Sequence, residues 1–151
     1  MKASASFTRL LKIIEKLRAP EGCLWDRKQK KEDVTKYLLD ETYELIDAIE
    51  SGSPDAQKEE MGDLFFQILF LSRIAEEADE FTISDVMECV TEKMIRRHPH
   101  VFGDAKVKNI EEIKANWDDI KKHLENKNGD AAGILGRRSK RASSGGRAER
   151  A

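Results

Sequence analysis

The chain has 151 residues, 39% hydrophobic and 37% charged, enough for one domain with a real core under a heavily charged surface. Its formal net charge of -2 is split unevenly: residues 1–127 carry 21 basic against 27 acidic side chains, residues 128–151 six against two. An acidic body excludes a general nucleic-acid binder, and two unpatterned cysteines, Cys23 and Cys89, exclude a disulfide framework and fit a reducing compartment.

No secretory signal pattern is expected at the start. Met1-Lys2-Ala3-Ser4 runs straight into an amphipathic segment. The spacing of Phe7, Leu10, Leu11, Ile14 and Leu17 predicts a helix over 6–18, with Ser6 as its cap. Ala19-Pro20-Glu21-Gly22 breaks it, and a loop is expected through Asp26. A second helix is predicted from about Asp33 to Ser51, with Val34, Leu38, Leu45, Ile46 and Ile49 as its apolar positions. Glu41 and Glu44 lie in its middle, and Tyr37 stands one turn before Glu41 on the same face. Ser51-Gly52-Ser53-Pro54 reads as a turn, with Pro54 suited to the first turn of the next helix.

That third helix is predicted over 54–77. Glu60 and Asp63 precede a run, Leu64 to Leu71, in which only Gln67 is polar. A helix apolar nearly all round must be covered on more than one side, and a second subunit is the expected cover. The run is far too short to cross a bilayer, so no membrane partner and a cytoplasmic location are expected. A fourth helix, about 82–97, carries Ile83, Val86, Met87, Val90 and Met94 on one stripe. His98-Pro99-His100 ends it, and 101–104 is expected as loop. Ile110, Ile113, Trp117, Ile120 and Leu124 predict a fifth helix over about 109–126. Residues 128–151 are expected to be a basic, disordered tail. With no strand pattern and no internal repeat, the fold class is all-α, a bundle of about five helices.

Glu41 with Glu44, and Glu60 with Asp63, are each spaced i, i+3, so each pair shares a helix face. Like charges stacked this way cost a helix a few tenths of a kcal/mol per pair, a cost that a divalent cation between the two faces removes. One such pair alone is ordinarily a solvated surface; two beside apolar runs make a metal site an equal reading. Facing acidic side chains hold metal in helical bundles. With no histidine on these faces, di-iron and zinc are disfavoured, and an all-oxygen set suits Mg²⁺ or Mn²⁺ together with a phosphate substrate. Lys93 and Arg97, then Trp117 and Lys121, are i, i+4 pairs able to neutralise phosphate and pack on a base or sugar. Taken alone, the two cations read as surface charges and Trp117 as core. His98 and His100 read as capping and packing residues. No P-loop or dinucleotide fingerprint is present.

Four segments then resemble one family. They are Gly22-Cys23-x-Trp25-Asp26-x-x-Gln29, Tyr37-Leu38-Leu39-Asp40-Glu41-x-x-Glu44, Glu60-x-Gly62-Asp63-Leu64, and Lys93-x-Ile95-Arg96-Arg97-His98-Pro99-His100-Val101-Phe102-Gly103. In order, over about residues 7–126, they resemble the MazG nucleotide pyrophosphohydrolases. The resemblance implies an all-α fold related to the dimeric dUTPases, dimerising through central helices, with one MazG-like domain over 1–127. It implies Mg²⁺-dependent hydrolysis of nucleoside triphosphates to monophosphate and pyrophosphate, clearing the nucleotide pool. It implies Glu41, Glu44, Glu60 and Asp63 as metal ligands. It implies Lys93, Arg97, Trp117 and Lys121 at positions of nucleotide contact and catalysis, with Tyr37, Asp40 and Glu59 beside the substrate. Asp40 and the ligand glutamates are alternative acceptors of the attacking water's proton. The chain departs from the pattern at Leu24, where the family has Pro, at Asp40, where it has Glu, and after about Gly136. Two other readings stand beside this one: a base-selective dUTP- or dCTP-type pyrophosphatase, and a non-catalytic helical regulator.

Overall fold

The computed structural model describes residues 1–125. The predicted basic tail, 128–151, lies outside the described residues. Among the described residues there are seven helices and no strand, as the all-α expectation requires. The first, α1 (Lys2–Arg18), begins earlier than the periodicity predicts. Ser6 is therefore not a cap; its hydroxyl donates back to the Lys2 carbonyl at 3.2 Å. Ala3 and Ala5 are strong helix formers and extend the helix ahead of its apolar stripe.

The chain leaves α1 at Ala19 in an extended conformation and turns back against the helix end. The Gly22 amide donates to the Ala19 carbonyl at 2.7 Å, and the Cys23 amide to the Leu17 carbonyl at 2.8 Å. The approach is so close that a Cβ on Gly22 would stand 2.4 Å from the carbonyl oxygens of Lys16 and Leu17. A short helix, α2 (Leu24–Lys28), follows where a loop was predicted. Five residues cannot display an amphipathic period, which is why the sequence hid it. Arg18 fastens these pieces together: it donates to the carbonyls of Asp26 and Gln29 at 2.5 and 3.2 Å. It also pairs with the Glu77 carboxylate at 2.6 Å. The hydrogen bond from Arg18 and the nearby positive charges of Arg18 and Arg73 hold the Glu77 carboxyl below its ordinary range.

Helix α3 (Lys31–Ser51) starts two residues before Asp33, whose carboxylate instead accepts from the Lys30 amide at 2.9 Å in the first turn. It ends on Gly52, left-handed at φ 72°. Helix α4 (Pro54–Glu77) has the predicted bounds, with Ser53 Oγ accepting from the Ala56 amide at 3.3 Å. Helix α5 (Ile83–Arg97) opens on a reciprocal pair: the Asp85 carboxylate accepts from the Thr82 amide at 2.7 Å, and Thr82 Oγ from the Asp85 amide at 3.3 Å. His98 ends α5 as predicted, but the next residues form a one-turn helix, α6 (Pro99–Phe102), not a loop. Helix α7 (Ile110–Ile120) is capped by Asn109 and gives way to a π-helical turn, Lys121–Glu125. The fifth predicted helix is thus shorter in its α-helical part.

The described residues pack as two compact units, one of residues 1–89 and one of residues 90–125. In the first, α3 and α4 form an antiparallel hairpin covered by α1. Ile14, Val34, Leu69, Phe70 and Ile74 are its buried centre, flanked by Phe7, Leu10, Leu38, Phe66 and Ile83. The apolar run of α4 is only partly covered: Leu69 and Phe70 are buried, whereas Phe65 and Ile68 are 43% and 41% exposed.

Gly22 has no room for a methyl group. Gly22→Ala is expected to lower stability by about 1–3 kcal/mol, the usual range for forcing extra carbon into a packed site. The measurement is the urea midpoint at unchanged m-value.

Candidate metal centre

The hairpin places the acidic residues by counting. Glu41 and Asp63 are each eleven positions from Gly52, and Glu44 and Glu60 are each eight. An antiparallel pair of helices pivoting at Gly52 therefore sets Glu41 opposite Asp63 and Glu44 opposite Glu60. Glu41, Glu60 and Asp63 each offer a carboxylate oxygen, all within 4.8 Å of one another. Glu44 stands outside this group, yet close enough that its charge acts on Glu60. Three of the four predicted ligands are thus brought together around one point, and the fourth lies beside it.

The electrostatics follow from crowding. Burial raises the Glu41 carboxyl above its ordinary value, and the charges of Asp63, Glu60, Glu44 and Asp40 raise it further. Glu60 is raised in the same way by desolvation, then by Asp63, Glu44 and Glu59. Asp40 and Glu59, predicted near the substrate, are therefore neighbours of the cluster. A group of carboxylates without histidine or cysteine fits a hard divalent cation, which would reverse each of these shifts. Tyr37 does not join the acidic group. It lines a small cavity of about 90 Å³ with Trp25, Gln29, Val34 and Phe66.

The second unit holds the predicted cations. Lys93 and Arg97 are half-buried on α5, Trp117 is half-buried on α7, and Lys121 is exposed on the π turn. Arg97 and Trp117 are brought together, the guanidinium lying 5.1 Å from the ring centre. His98 meets the same ring edge-on at 5.1 Å, and its Nδ1 bonds to the Met94 carbonyl at 2.6 Å. It packs, as predicted. Neither Lys93 nor Lys121 forms an ion pair among the described residues. Arg97 does, with Glu125, a residue that no spacing in the sequence singled out.

Comparison with known proteins adds an independent line. Residues 29–102 match the MazG nucleotide pyrophosphohydrolase domain. The chain is 49% identical over 120 residues to the nucleoside triphosphate pyrophosphohydrolase/pyrophosphatase MazG of Thermotoga maritima, covering 80% of this chain and 46% of that protein. It is 43% identical over 114 residues to the nucleoside triphosphate pyrophosphohydrolase of Escherichia coli K12, covering 75% of this chain and 43% of that one. The chain therefore spans less than half the length of either relative. Among solved structures, a mazG-related protein from Thermotoga maritima superposes with a TM-score of 0.65 at 30% identity, over 76% of this chain and 98% of that one.

A raised folded-state carboxyl makes ionisation destabilising for the metal-free fold. Glu41→Gln, freed of metal by chelation, should exceed the wild type at pH 7 by a few tenths of a kcal/mol, the scale of a like-charge helix pair. That advantage should shrink as pH falls through the raised Glu41 value towards 4.5, because the wild type then protonates and the repulsion is relieved. Added divalent cation should invert the order, raising the melting temperature of the wild type only. Urea and thermal unfolding across pH 4–7 measure both effects.

Proposed function

The chain belongs to the MazG nucleotide pyrophosphohydrolase family, and on that premise we propose that it hydrolyses nucleoside triphosphates to nucleoside monophosphate and pyrophosphate. The observation that carries this reading is the three-carboxylate group on facing helices. Glu41, Glu60 and Asp63, with Glu44 beside them, would hold Mg²⁺ or Mn²⁺, and residues 1–127 would be the catalytic domain. When bound, the cation polarises phosphoryl oxygens and lowers the pKa of an attacking water.

The remaining chemistry belongs to side chains. Glu41, Glu60 and Asp63 would hold the cation and thereby orient the phosphate chain. Asp40 or a ligand glutamate takes the proton of the attacking water. Lys93, Arg97 and Lys121 offset charge that builds on the phosphoryl oxygens as the bond between the α and β phosphates breaks. Trp117 packs on the base or sugar. Tyr37 and Glu59 bound the substrate more loosely. In the cytoplasm this activity clears ribo- and deoxynucleoside triphosphates from the pool.

The functional protein in this proposal is a homodimer or higher homo-oligomer, supported by the half-exposed Phe65 and Ile68 in an otherwise apolar run. Ile68→Lys is expected to shift it to monomer, read as halved or lower mass by light scattering after size exclusion. An unchanged mass places the contact elsewhere.

The decisive experiment is a panel of nucleoside triphosphates, ribo and deoxy, assayed for pyrophosphate with and without Mg²⁺. Glu41→Gln or Asp63→Asn should lower kcat/KM by about a hundredfold or more, the several kcal/mol that metal polarisation supplies. Truncation of 128–151 should leave the rate intact. Activity confined to one base would replace the broad reading with a base-selective one. Activity that survives both carboxylate substitutions would refute the metal assignment.

A further inference from the structure

Arg97 is a phosphate contact in the reading above, and within its own unit it is already bound to an anion. Glu125 accepts from Arg97 Nε through Oε1 at 3.1 Å and from Nη2 through Oε2 at 2.5 Å. Arg96 Nη2 adds a third bond, to Oε1 at 2.9 Å. The pair is enclosed, with the Arg97 side chain 14% and the Glu125 side chain 18% exposed. Trp117 lies against the guanidinium and is itself braced by His98.

This is the geometry with which arginine takes a phosphate. A planar guanidinium presents the same two-pronged edge to a carboxylate and to a phosphoryl group. The edge made by Nε and Nη2 cannot serve both at once. Glu125 is also the last residue of the π-helical turn Lys121–Glu125. An α-helical continuation from Ile120 would rotate its side chain to another direction, and π irregularities of this kind occur often at functional sites.

We propose that Glu125 is a built-in competitor for the substrate's phosphate, occupying Arg97 in the resting protein and giving it up when a nucleotide arrives. The inference rests on the assignment of Arg97 as a nucleotide contact. Apparent affinity for a ligand is the intrinsic affinity scaled by the fraction of molecules in the competent state. Every molecule in which Glu125 holds Arg97 is removed from that fraction. The contact therefore weakens, by one common factor, every ligand that needs the Nε and Nη2 edge of Arg97.

The test uses the full chain with Mg²⁺ and two readouts. One is the calorimetric Kd for α,β-methylene-ATP; the other is KM and kcat for the triphosphate hydrolysed fastest in the panel. If Arg97 is free in about a tenth to a third of molecules, Glu125→Gln should lower Kd and KM by roughly three- to tenfold, with kcat little changed. Arg96→Ala removes one of the three bonds and should move both constants the same way by less; it carries the test if Glu125→Gln does not fold. Arg97→Ala should raise both constants. A higher Kd in Glu125→Gln would mean that Glu125 holds Arg97 ready for substrate, which overturns the proposal. No change in Glu125→Gln, with Arg97→Ala impaired, removes the competitor but keeps Arg97 as a contact. An Arg97→Ala variant equal to wild type removes the contact itself, and the competitor with it.

Discussion

Repulsion among three carboxylates is tolerated in this protein because apolar packing on the same two helices outweighs it. Like charges one turn apart cost a few tenths of a kcal/mol. A single large apolar side chain fully removed from water contributes about 1.5–3 kcal/mol, and Val34, Leu69, Phe70 and Ile74 are all buried in the first unit. Val34 precedes the acidic pair on α3, and the other three follow the acidic pair on α4. The carboxylates thus sit on a stretch whose rotation is fixed by its neighbours. They cannot swing apart without dragging buried side chains into water. The spacing of the carboxylates is therefore set by the core rather than by their own repulsion.

The second unit treats charge in the opposite way. There a guanidinium is matched to a carboxylate, enclosed, and pressed against an aromatic ring. Hydrogen bonds from Arg97 and Arg96 hold the Glu125 carboxyl down to about 2, and the bonds to Glu125 raise Arg97. Both groups stay ionised through any ordinary pH. Glu41, Glu60 and Asp63 form no ion pair among the described residues, whereas Arg97 does.

Much of this was legible in the sequence, for reasons that can be named. The start of α4 was readable because Ser53 and Pro54 are a cap and a first-turn residue with little freedom to be anything else. The acidic pairs were readable because i, i+3 spacing survives whatever the helices pack against. The apolar run from Leu64 to Leu71 announced a helix needing two covers, and Phe65 and Ile68 are the residues that the hairpin leaves outside. Short elements were not legible: α2 and α6 span five and four residues, less than a hydrophobic period needs. Ser6 misled because a serine ahead of an apolar stripe marks a cap only when the residues before it are poor helix formers. Glu125 was invisible because its role depends on a partner 28 positions away, and nothing local in the sequence distinguishes it from the other acids of a charged helix.

The hairpin at Gly52 also governs where this chain can change length. An extra residue inside a helix turns everything beyond it by about 100°. Placed between Asp63 and Leu69, it would set the carboxylates and the buried side chains of α4 on different faces, so that one set or the other loses its place. Placed at Gly52 or Ser53, it would be taken up by the turn, because each helical arm keeps its own acidic and apolar residues in fixed relation. Insertions and deletions should therefore be tolerated at this bend and excluded from the arms. Comparing lengths at that point across related chains would reveal it even where the residues themselves have diverged.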